Sequence, residues 1–173
     1  MRALLEEYVP RVYRFAMRLS RDHHAAEDIT QETLLRAWRH RRRLKEPDAA
    51  RVWLFTIAAN IWRDQVQRGK LPVARVGPLA EDPEDDAQPA PERAGLDGED
   101  VSRAMQAMDL LPPRQREVLY LHACEGLAVA EIAGVLDTNP NNVKVNLSLA
   151  RKRMRCVLKD VFQDRFPTQW LVP

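Results

Sequence analysis

The sequence predicts an all-α protein in which two small helical domains are joined by a flexible acidic linker. Apolar residues recur at helical spacing in seven segments, and no stretch rich in β-branched residues requires a strand. The charge divides the chain in the same way: residues 1–70 carry 15 Lys and Arg against 9 Asp and Glu, 71–100 carry 2 against 9, and 101–173 carry 10 against 7. Two basic blocks on either side of an acidic one are typical of two modules that bind a polyanion.

The segment 71–98 is predicted to be the linker. It contains five of the twelve prolines and an acidic run at positions 81–86, and it lacks apolar periodicity. Such a segment buries too little apolar surface to offset the entropy lost on ordering it. The predicted domains are therefore residues 1–70 and 99–160, and residues 161–173 form a C-terminal tail.

Three helices are predicted in the first domain. The first has Pro10 in its first turn, the second runs from about His23 to Arg39, and the third from about Ala49 to Gly69. A loop that contains Pro47 separates the last two, because proline disfavours helix at the residue before it. The residues predicted to face inward are Tyr8, Val12, Phe15, Ala16 and Leu19, then Ala26, Ile29, Thr33, Ala37 and Trp38, then Leu54, Ala58, Ile61 and Trp62.

Four helices are predicted in the second domain, over residues 99–111, 113–124, 129–136 and 139–159. Gly126 is typical of a helix C-cap, and Asn139 followed by Pro140 is typical of an N-cap and a first helical position. Residues 128–155 have the pattern of a helix-turn-helix, with Asp137 at the turn position usually held by glycine. Aspartate tolerates the left-handed backbone of such a turn better than most residues do.

The last of these helices is predicted to enter the major groove of double-stranded DNA. Its inward residues recur at helical spacing, and its outward face offers short polar side chains first and cations further along. Polar groups can reach base edges while cations meet phosphates. A helical hairpin with a solvated basic face would show the same pattern. The inward residues are Val143, Leu147, Ala150 and Met154, and the outward ones are Asn141, Val145, Ser148 and Lys152, flanked by Lys144 and Arg151.

Two faces of the first domain also combine residue types that favour binding. An exposed leucine among charged and amide groups is typical of an interface anchor with a polar rim, and a solvated helix surface is the alternative. Amides, an aromatic ring and cations together favour single-stranded DNA, unless the tryptophans belong to the core. The second helix carries Asp28, Gln31, Glu32, Leu35 and Arg36, and the third carries Trp53, Thr56, Asn60, Arg63 and Gln67 after an arginine-rich loop.

Three motifs in this order resemble the extracytoplasmic-function sigma factors, which keep regions 2 and 4 of the sigma-70 superfamily. The string from Ala26 to Trp38 (AEDITQETLLRAW) resembles the polymerase-binding helix of region 2. Trp53-Leu54, Ile57-Ala58, Asn60, Asp64 and Arg68 resemble its −10 recognition helix. Leu111–Val118, Glu125-Gly126-Leu127 and Glu131-Ile132-Ala133 resemble region 4. The likeness covers everything but the linker and the last dozen residues.

The resemblance implies a protein that binds core RNA polymerase, through its β′ and β subunits, and directs promoter recognition and transcription initiation. It assigns three surfaces. The polymerase surface is Asp28, Gln31, Glu32, Leu35 and Arg36. The −10 surface is Arg42, Arg43, Lys45, Trp53, Thr56, Asn60, Arg63 and Gln67. The −35 surface is Arg114, Arg116, Asn141, Asn142, Lys144, Val145, Ser148, Arg151 and Lys152.

The sequence departs from the family in the last helix, where two positions that are commonly basic are Asn146 and Leu149. Fewer phosphate contacts should weaken −35 binding, lower its salt dependence or redirect its sequence preference. The family's two promoter elements lie about 17 base pairs apart, or ~60 Å at ~3.4 Å per pair. A thirty-residue linker reaches about 100 Å when extended but only ~30 Å as a relaxed coil, so it must be partly stretched.

Other functions find less support in the sequence. A self-sufficient helix-turn-helix regulator is the alternative, and it would bind its promoter tightly without polymerase. No glycine-rich phosphate loop, metal cluster or nucleophile–base pair indicates an enzyme or a cofactor, and Cys124 and Cys156 are expected to be reduced thiols. No segment suits membrane insertion, so the chain is expected in the cytoplasm. The family also implies an anti-sigma factor partner, which could hold the chain at the membrane.

Overall fold

The computed structural model describes residues 2–44, 46, 49–69 and 98–161, and within them it contains seven α-helices and no strand. The helices are α1 (Arg2–Ser20), α2 (His23–Arg39), α3 (Ala50–Gln67), α4 (Gly98–Asp109), α5 (Pro113–Ala123), α6 (Val129–Leu136) and α7 (Pro140–Val161), with a 3-10 helix at Arg41–Arg43. The predicted all-α fold is confirmed. The predicted linker lies outside the described residues except for Gly98, and the predicted tail except for Val161.

Helices α1, α2 and α3 pack together into an N-terminal helical group. Each buries one apolar stripe, as expected of an amphipathic helix on a small core. Phe15 of α1 and Phe55 of α3 are both fully buried and meet edge to face, with ring centroids 5.2 Å apart. The other residues of this core include Val12, Ala16, Ala26, Ile29, Ala37, Leu54 and Ala58.

Helix α1 starts earlier than the sequence predicted. It begins at Arg2, so Pro10 lies inside the helix and not in its first turn. Leu5 is buried and joins the core cluster, which extends the apolar stripe by three residues, almost one turn, toward the N-terminus. This packing stabilises the first turns despite the backbone hydrogen bond that Pro10 cannot donate.

Helices α5, α6 and α7 form the core of a C-terminal group, and α4 packs against α7. The predicted local signals are present: Gly126 has a φ of +66° after α5, and Asp137 has a φ of +51° after α6. The Asn139 side chain accepts a hydrogen bond at 2.8 Å from the backbone N–H of Asn142, which caps α7 ahead of Pro140. The short α6 and the long α7 therefore form the predicted helix-turn-helix.

The two helical groups pack directly against each other. Helix α1 contacts α5, and α3 contacts α6. The ring of Phe15 stacks on Tyr120 of α5 with centroids 6.0 Å apart, and Tyr120 is 1% exposed. One apolar core therefore runs through both groups. In the part of the chain that the structure describes, no helix is long and apolar enough to cross a membrane.

Candidate functional site

The polymerase surface is gathered on one exposed side of α2. Leu35 is 51% exposed, and Asp28 and Gln31 are exposed beside it. The Arg36 Nε donates to Glu32 Oε1 at 2.6 Å, an i,i+4 ion pair that holds both side chains on this side. The opposite side of α2 buries Ile29, Thr33 and Ala37 in the core. The structure thus brings the five predicted residues together around a solvent-facing leucine.

Trp38 differs from the prediction that placed it on the buried side of α2. It is 47% exposed, and the Arg41 guanidinium lies over its ring, 4.8 Å from the centroid. Arg41 also donates to the Trp38 carbonyl at 2.9 Å, so the 3-10 helix folds back on the end of α2. An exposed indole with a stacked guanidinium next to the arginine-rich loop is a candidate binding group that the helical pattern alone did not reveal.

Only some of the α3 residues predicted for the −10 surface are exposed to solvent. Asn60 and Gln67 are exposed, whereas Trp53 is half-buried against the core. The Thr56 hydroxyl donates to the Val52 carbonyl at 2.8 Å and is thereby turned toward its own helix. Arg42 is exposed on the 3-10 helix. Lys45 and the side chain of Arg43 lie outside the described residues.

Arg63 of the −10 surface is held by the C-terminal group. Its Nη1 donates to Asp137 Oδ2 at 3.1 Å and its Nη2 to the Val135 carbonyl at 3.3 Å. The same Nη2 donates to Asn60 Oδ1 at 2.5 Å, which draws Asn60 into the contact. Arg63, which was predicted to read bases, therefore lies against the end of α6, and the exposed Asn60 is bonded to it.

The outward face of α7 resembles the predicted −35 surface. Asn141, Lys144 and Lys152 are exposed, and Val145 and Ser148 are half-buried. Buried Val143, Leu147 and Ala150 hold the opposite face on the core. The side-chain amides of two asparagines are directed back along the helix, since Asn142 Nδ2 donates to Thr138 Oγ1 at 3.3 Å and Asn146 Nδ2 to the Asn142 carbonyl at 2.7 Å.

All three arginines predicted for the −35 surface form hydrogen bonds within the protein. Arg114 donates to Glu117 Oε2 at 3.2 Å. Arg151 Nη2 lies 3.2 Å from His122 Nε2, while His122 Nδ1 lies 3.1 Å from the Leu127 carbonyl. Because a carbonyl only accepts, Nδ1 carries the proton and Nε2 accepts from Arg151.

Arg116 is a structural residue in this arrangement, since it is only 3% exposed. Its Nη2 donates to the Leu111 carbonyl at 2.7 Å and its Nη1 to the Arg18 carbonyl of α1 at 3.1 Å. Burial, with Arg21 nearby, lowers the pKa of Arg116, but the guanidinium stays charged in any physiological range. Its placement argues against the predicted phosphate contact while the two groups are packed.

An ion pair with a buried carboxylate, which the sequence did not reveal, joins the two groups at Glu125. Glu125 is 4% exposed, and its Oε2 accepts from Arg11 Nε at 2.9 Å and Nη2 at 2.6 Å. Tyr120 donates to the other carboxylate oxygen at 3.3 Å, and Arg51 Nη1 donates to the Glu125 carbonyl at 2.8 Å. Burial alone would lower the pKa of Arg11, but the hydrogen bond and attraction of Glu125 raise it.

A second charged contact between the groups lies at the end of α4. Arg18 pairs with the Asp109 carboxylate, and Arg21 donates to the Asp109 carbonyl. Glu117, which accepts a hydrogen bond from Arg114, is buried, and this burial raises the pKa of its carboxyl. Burial and the Glu125 carboxylate likewise raise the pKa of the Tyr120 phenol.

Among the described residues, one set of side chains could geometrically hold a metal ion: His23, His24 and Glu27. All three are exposed and stand in the first turns of α2. A helix N-terminus carries a partial positive charge that opposes a cation, and nothing encloses the three side chains. We assign no metal to this set.

The comparisons with known proteins agree with this arrangement of helices. The model of the Sigma-70 region 2 family matches residues 4–71, and that of the Sigma-70, region 4 family matches residues 102–154. The first match covers the N-terminal group and the second covers most of the C-terminal group. Together they account for more than half of the chain.

The chain is also similar to named relatives and to a solved structure. The chain is 34% identical over 157 residues to the ECF RNA polymerase sigma factor SigE of Mycolicibacterium smegmatis, covering 88% of this chain but only 59% of that protein. It is 32% identical to the ECF RNA polymerase sigma factor SigL of Mycobacterium tuberculosis, over 93% of this chain and 90% of that protein. The sigma factor RpoE of Bartonella quintana, solved in complex with the anti-sigma factor NepR, is similar with a TM-score of 0.63 and 27% identity over 90% and 94% of the two chains. The chain belongs to the extracytoplasmic-function sigma factors.

Proposed function

We propose that this chain is an alternative sigma factor that binds core RNA polymerase and directs it to promoters with a −10 and a −35 element. The observation that carries the proposal is the presence of regions 2 and 4 in one chain, each with its expected helices. The protein acts by binding, and its work requires it to meet DNA and polymerase in the bacterial cytoplasm.

The polymerase surface would dock on the coiled coil of the β′ subunit, with further contacts to β. Support comes from the geometry of α2, where a half-exposed leucine is surrounded by Asp28, Gln31 and the Glu32–Arg36 pair. An apolar anchor that becomes buried within a charged rim supplies most of the energy of a typical interface, while the rim sets its orientation. The existing ion pair pre-organises two rim residues.

Reading of the −10 element would fall to α3 and the preceding loop. Asn60 and Arg63 offer an amide and a guanidinium, and Arg42 offers a further cation. Trp38 adds an exposed ring on which an unpaired base could stack, with a gain of about 1–3 kcal/mol for such a stack. These groups suit opened DNA, where bases are accessible.

The −35 element would be read as a duplex by the outward face of α7. Lys144 and Lys152 are exposed cations for phosphates, and Asn141 near the helix start can reach base edges. The substitution of commonly basic positions by Asn146 and Leu149 leaves fewer phosphate contacts. We therefore expect a weaker −35 interaction with a shallow salt dependence.

An anti-sigma factor is a further proposed partner. The support is the solved RpoE relative, which was crystallised with the anti-sigma factor NepR. Co-purification from the native cell, followed by identification of bound proteins, would test whether this chain has such a partner.

Run-off transcription with purified core polymerase and a genomic promoter library tests the proposal as a whole. Addition of the chain should produce transcripts from discrete start sites that core polymerase alone does not select. The selected fragments should share two elements about 17 base pairs apart, or ~60 Å of duplex. Transcripts no more selective than those of core polymerase alone would refute the assignment.

A further inference from the structure

Arg151 differs from the other two arginines predicted for the −35 surface in the charge of its partner. Arg114 donates to the Glu117 carboxylate at 3.2 Å, and Arg116 is 3% exposed and bonded to backbone carbonyls. Arg151 is half-buried on α7, and its Nη2 donates to the neutral His122 ring at 3.2 Å. In the part of the chain that the structure describes, no carboxylate forms an ion pair with Arg151. Its charge is therefore not offset, and its remaining N–H donors are available to an acceptor outside the protein.

The ring of His122 is held in place by the turn that follows α5. Its Nδ1–H donates to the Leu127 carbonyl at 3.1 Å. The turn itself is closed by two backbone hydrogen bonds, from Leu127 N–H to the Leu121 carbonyl at 3.0 Å and from Gly126 N–H to the His122 carbonyl at 3.2 Å. Leu127 is 1% exposed, so the core anchors this turn. A side chain oriented by a fixed backbone acceptor presents its other ring nitrogen in one direction, and that nitrogen meets Arg151.

The position of Arg151 on α7 suits a phosphate at the side of the major groove. Lys144 and Arg151 are seven positions apart, nearly two turns, so they share one side of the helix about 10 Å apart along its axis. Cations on this side can meet phosphates while polar side chains reach base edges. Because two commonly basic positions are Asn146 and Leu149 here, each remaining cation supplies a larger fraction of the phosphate contacts.

We propose that His122 is a positioning residue of the −35 surface, which holds the Arg151 guanidinium ready for one phosphate of duplex DNA. This inference rests on the proposed function. An unrestrained arginine side chain loses rotamer freedom when it binds, whereas one that is already held loses less. The imidazole is a neutral acceptor, so it sets the orientation of the guanidinium and leaves its attraction for a phosphate in place.

The test measures binding of the full chain to a mixed-sequence 20-base-pair DNA duplex by fluorescence anisotropy at several salt concentrations. Phosphate contacts do not depend on base sequence, so the promoter sequence is not required. Arg151→Leu should weaken binding about tenfold and lower the slope of log affinity against log salt by about 0.9, because it removes one phosphate contact. His122→Leu keeps this cation and removes only its acceptor. It should weaken binding about three- to tenfold with the salt slope unchanged.

Rescue and a double-mutant cycle separate positioning from a general effect on the fold. His122→Gln places a neutral amide oxygen within reach of Arg151 and should bind within about twofold of the wild type. His24→Leu, at a side chain that is 93% exposed on α2, is the control for loss of a histidine and should also bind like the wild type. In an Arg151→Leu background, His122→Leu should change binding by less than about twofold. Urea denaturation checks that each variant is folded, and His122→Ala replaces His122→Leu under the same criteria if the latter is not.

Three results overturn the proposal: wild-type affinity of His122→Leu, an equal loss in His122→Gln, or the same loss from His122→Leu when Arg151 is already absent. An unchanged salt slope in Arg151→Leu also overturns it, because Arg151 then meets no phosphate. Run-off transcription by the wild type separates these failures from failure of the proposed function. Absence of start-site selectivity there refutes the sigma assignment, whereas the duplex measurements contain no polymerase and decide the role of His122 by themselves.

Discussion

Two polar faces of region 2 differ in what they contact. On α2, the Glu32–Arg36 pair stays within one helix and Leu35 faces solvent. On α3, Asn60 and Arg63 contact each other, and Arg63 reaches into region 4. The protein thus presents its polymerase surface freely while its −10 surface is partly occupied. Under the proposed function, the packed regions 2 and 4 must separate to occupy two promoter elements ~60 Å apart, so we expect polymerase to be met first and DNA second.

The largest expected effect comes from substitutions on the solvent-exposed polymerase surface of α2. Leu35→Arg with Asp28→Arg should weaken binding to core polymerase by about 100-fold or more, since it removes the apolar anchor and reverses a rim charge. Both positions are exposed, so the free energy of unfolding should change by less than about 0.5 kcal/mol. Biolayer interferometry with core polymerase measures the first quantity and urea denaturation the second.

Leu110→Arg is the matched control for the polymerase surface. Leu110 is 70% exposed, more than Leu35, and lies outside the three proposed surfaces. It should bind polymerase like the wild type. Equal losses in the two variants would mean that an exposed leucine matters for general reasons and would contradict the docking assignment.

The second expected effect is a difference in stability between the variants of a buried and of an exposed arginine. Arg116→Met should reduce the free energy of unfolding by about 2–3 kcal/mol, because it leaves the Leu111 and Arg18 carbonyls without their donors. Arg36→Met breaks only an exposed pair on α2 and should cost less than about 0.5 kcal/mol. Urea denaturation of the two variants decides. Similar small losses would mean that Arg116 is not structural and restore it as a candidate phosphate contact.

The smallest effect is a pH dependence at the interface between the regions. Burial raises the pKa of Glu117 above its ordinary 4.5, so the folded state binds this proton more readily than the unfolded state does. Its contribution to stability is therefore present below about pH 4.5 and is lost as the pH rises through the folded pKa. Glu117→Gln should show a smaller fall in the free energy of unfolding than the wild type as the pH rises from about 4.5. Parallel curves would contradict the raised pKa.

Local signals in the sequence predicted local structure well. Asn139 caps α7, Gly126 and Asp137 adopt the left-handed backbone that their positions suggested, and α2 and α6 have the predicted bounds. Each of these features depends on a few neighbouring residues, so a pattern of four or five positions contains the information. The residue assignments of the three surfaces remain predictions.

Contacts between residues far apart in the chain could not be predicted from the sequence pattern. Arg11 and Glu125 are 114 positions apart, with the predicted linker between them, and nothing local marks either as a partner. Arg114 and Arg116 belong to a basic stretch of sequence. Such a stretch is compatible with binding to phosphates and equally with hydrogen bonds inside the protein, so the sequence could not distinguish the two. Trp38 fits an inward stripe by spacing, but at the end of α2 its ring lies under Arg41 instead of in the core.

The distance between regions 2 and 4 tests the order of events most directly. Fluorescent labels on the exposed native Cys156 and on Glu7→Cys, with Cys124→Ala, report it by single-molecule energy transfer. We predict one short-distance population in the free protein and, with core polymerase, a population longer by tens of ångströms, toward the ~60 Å between promoter elements. The Leu35→Arg/Asp28→Arg variant should stay short. If the wild type shows the same distance distribution with and without polymerase, the proposed order of events is contradicted.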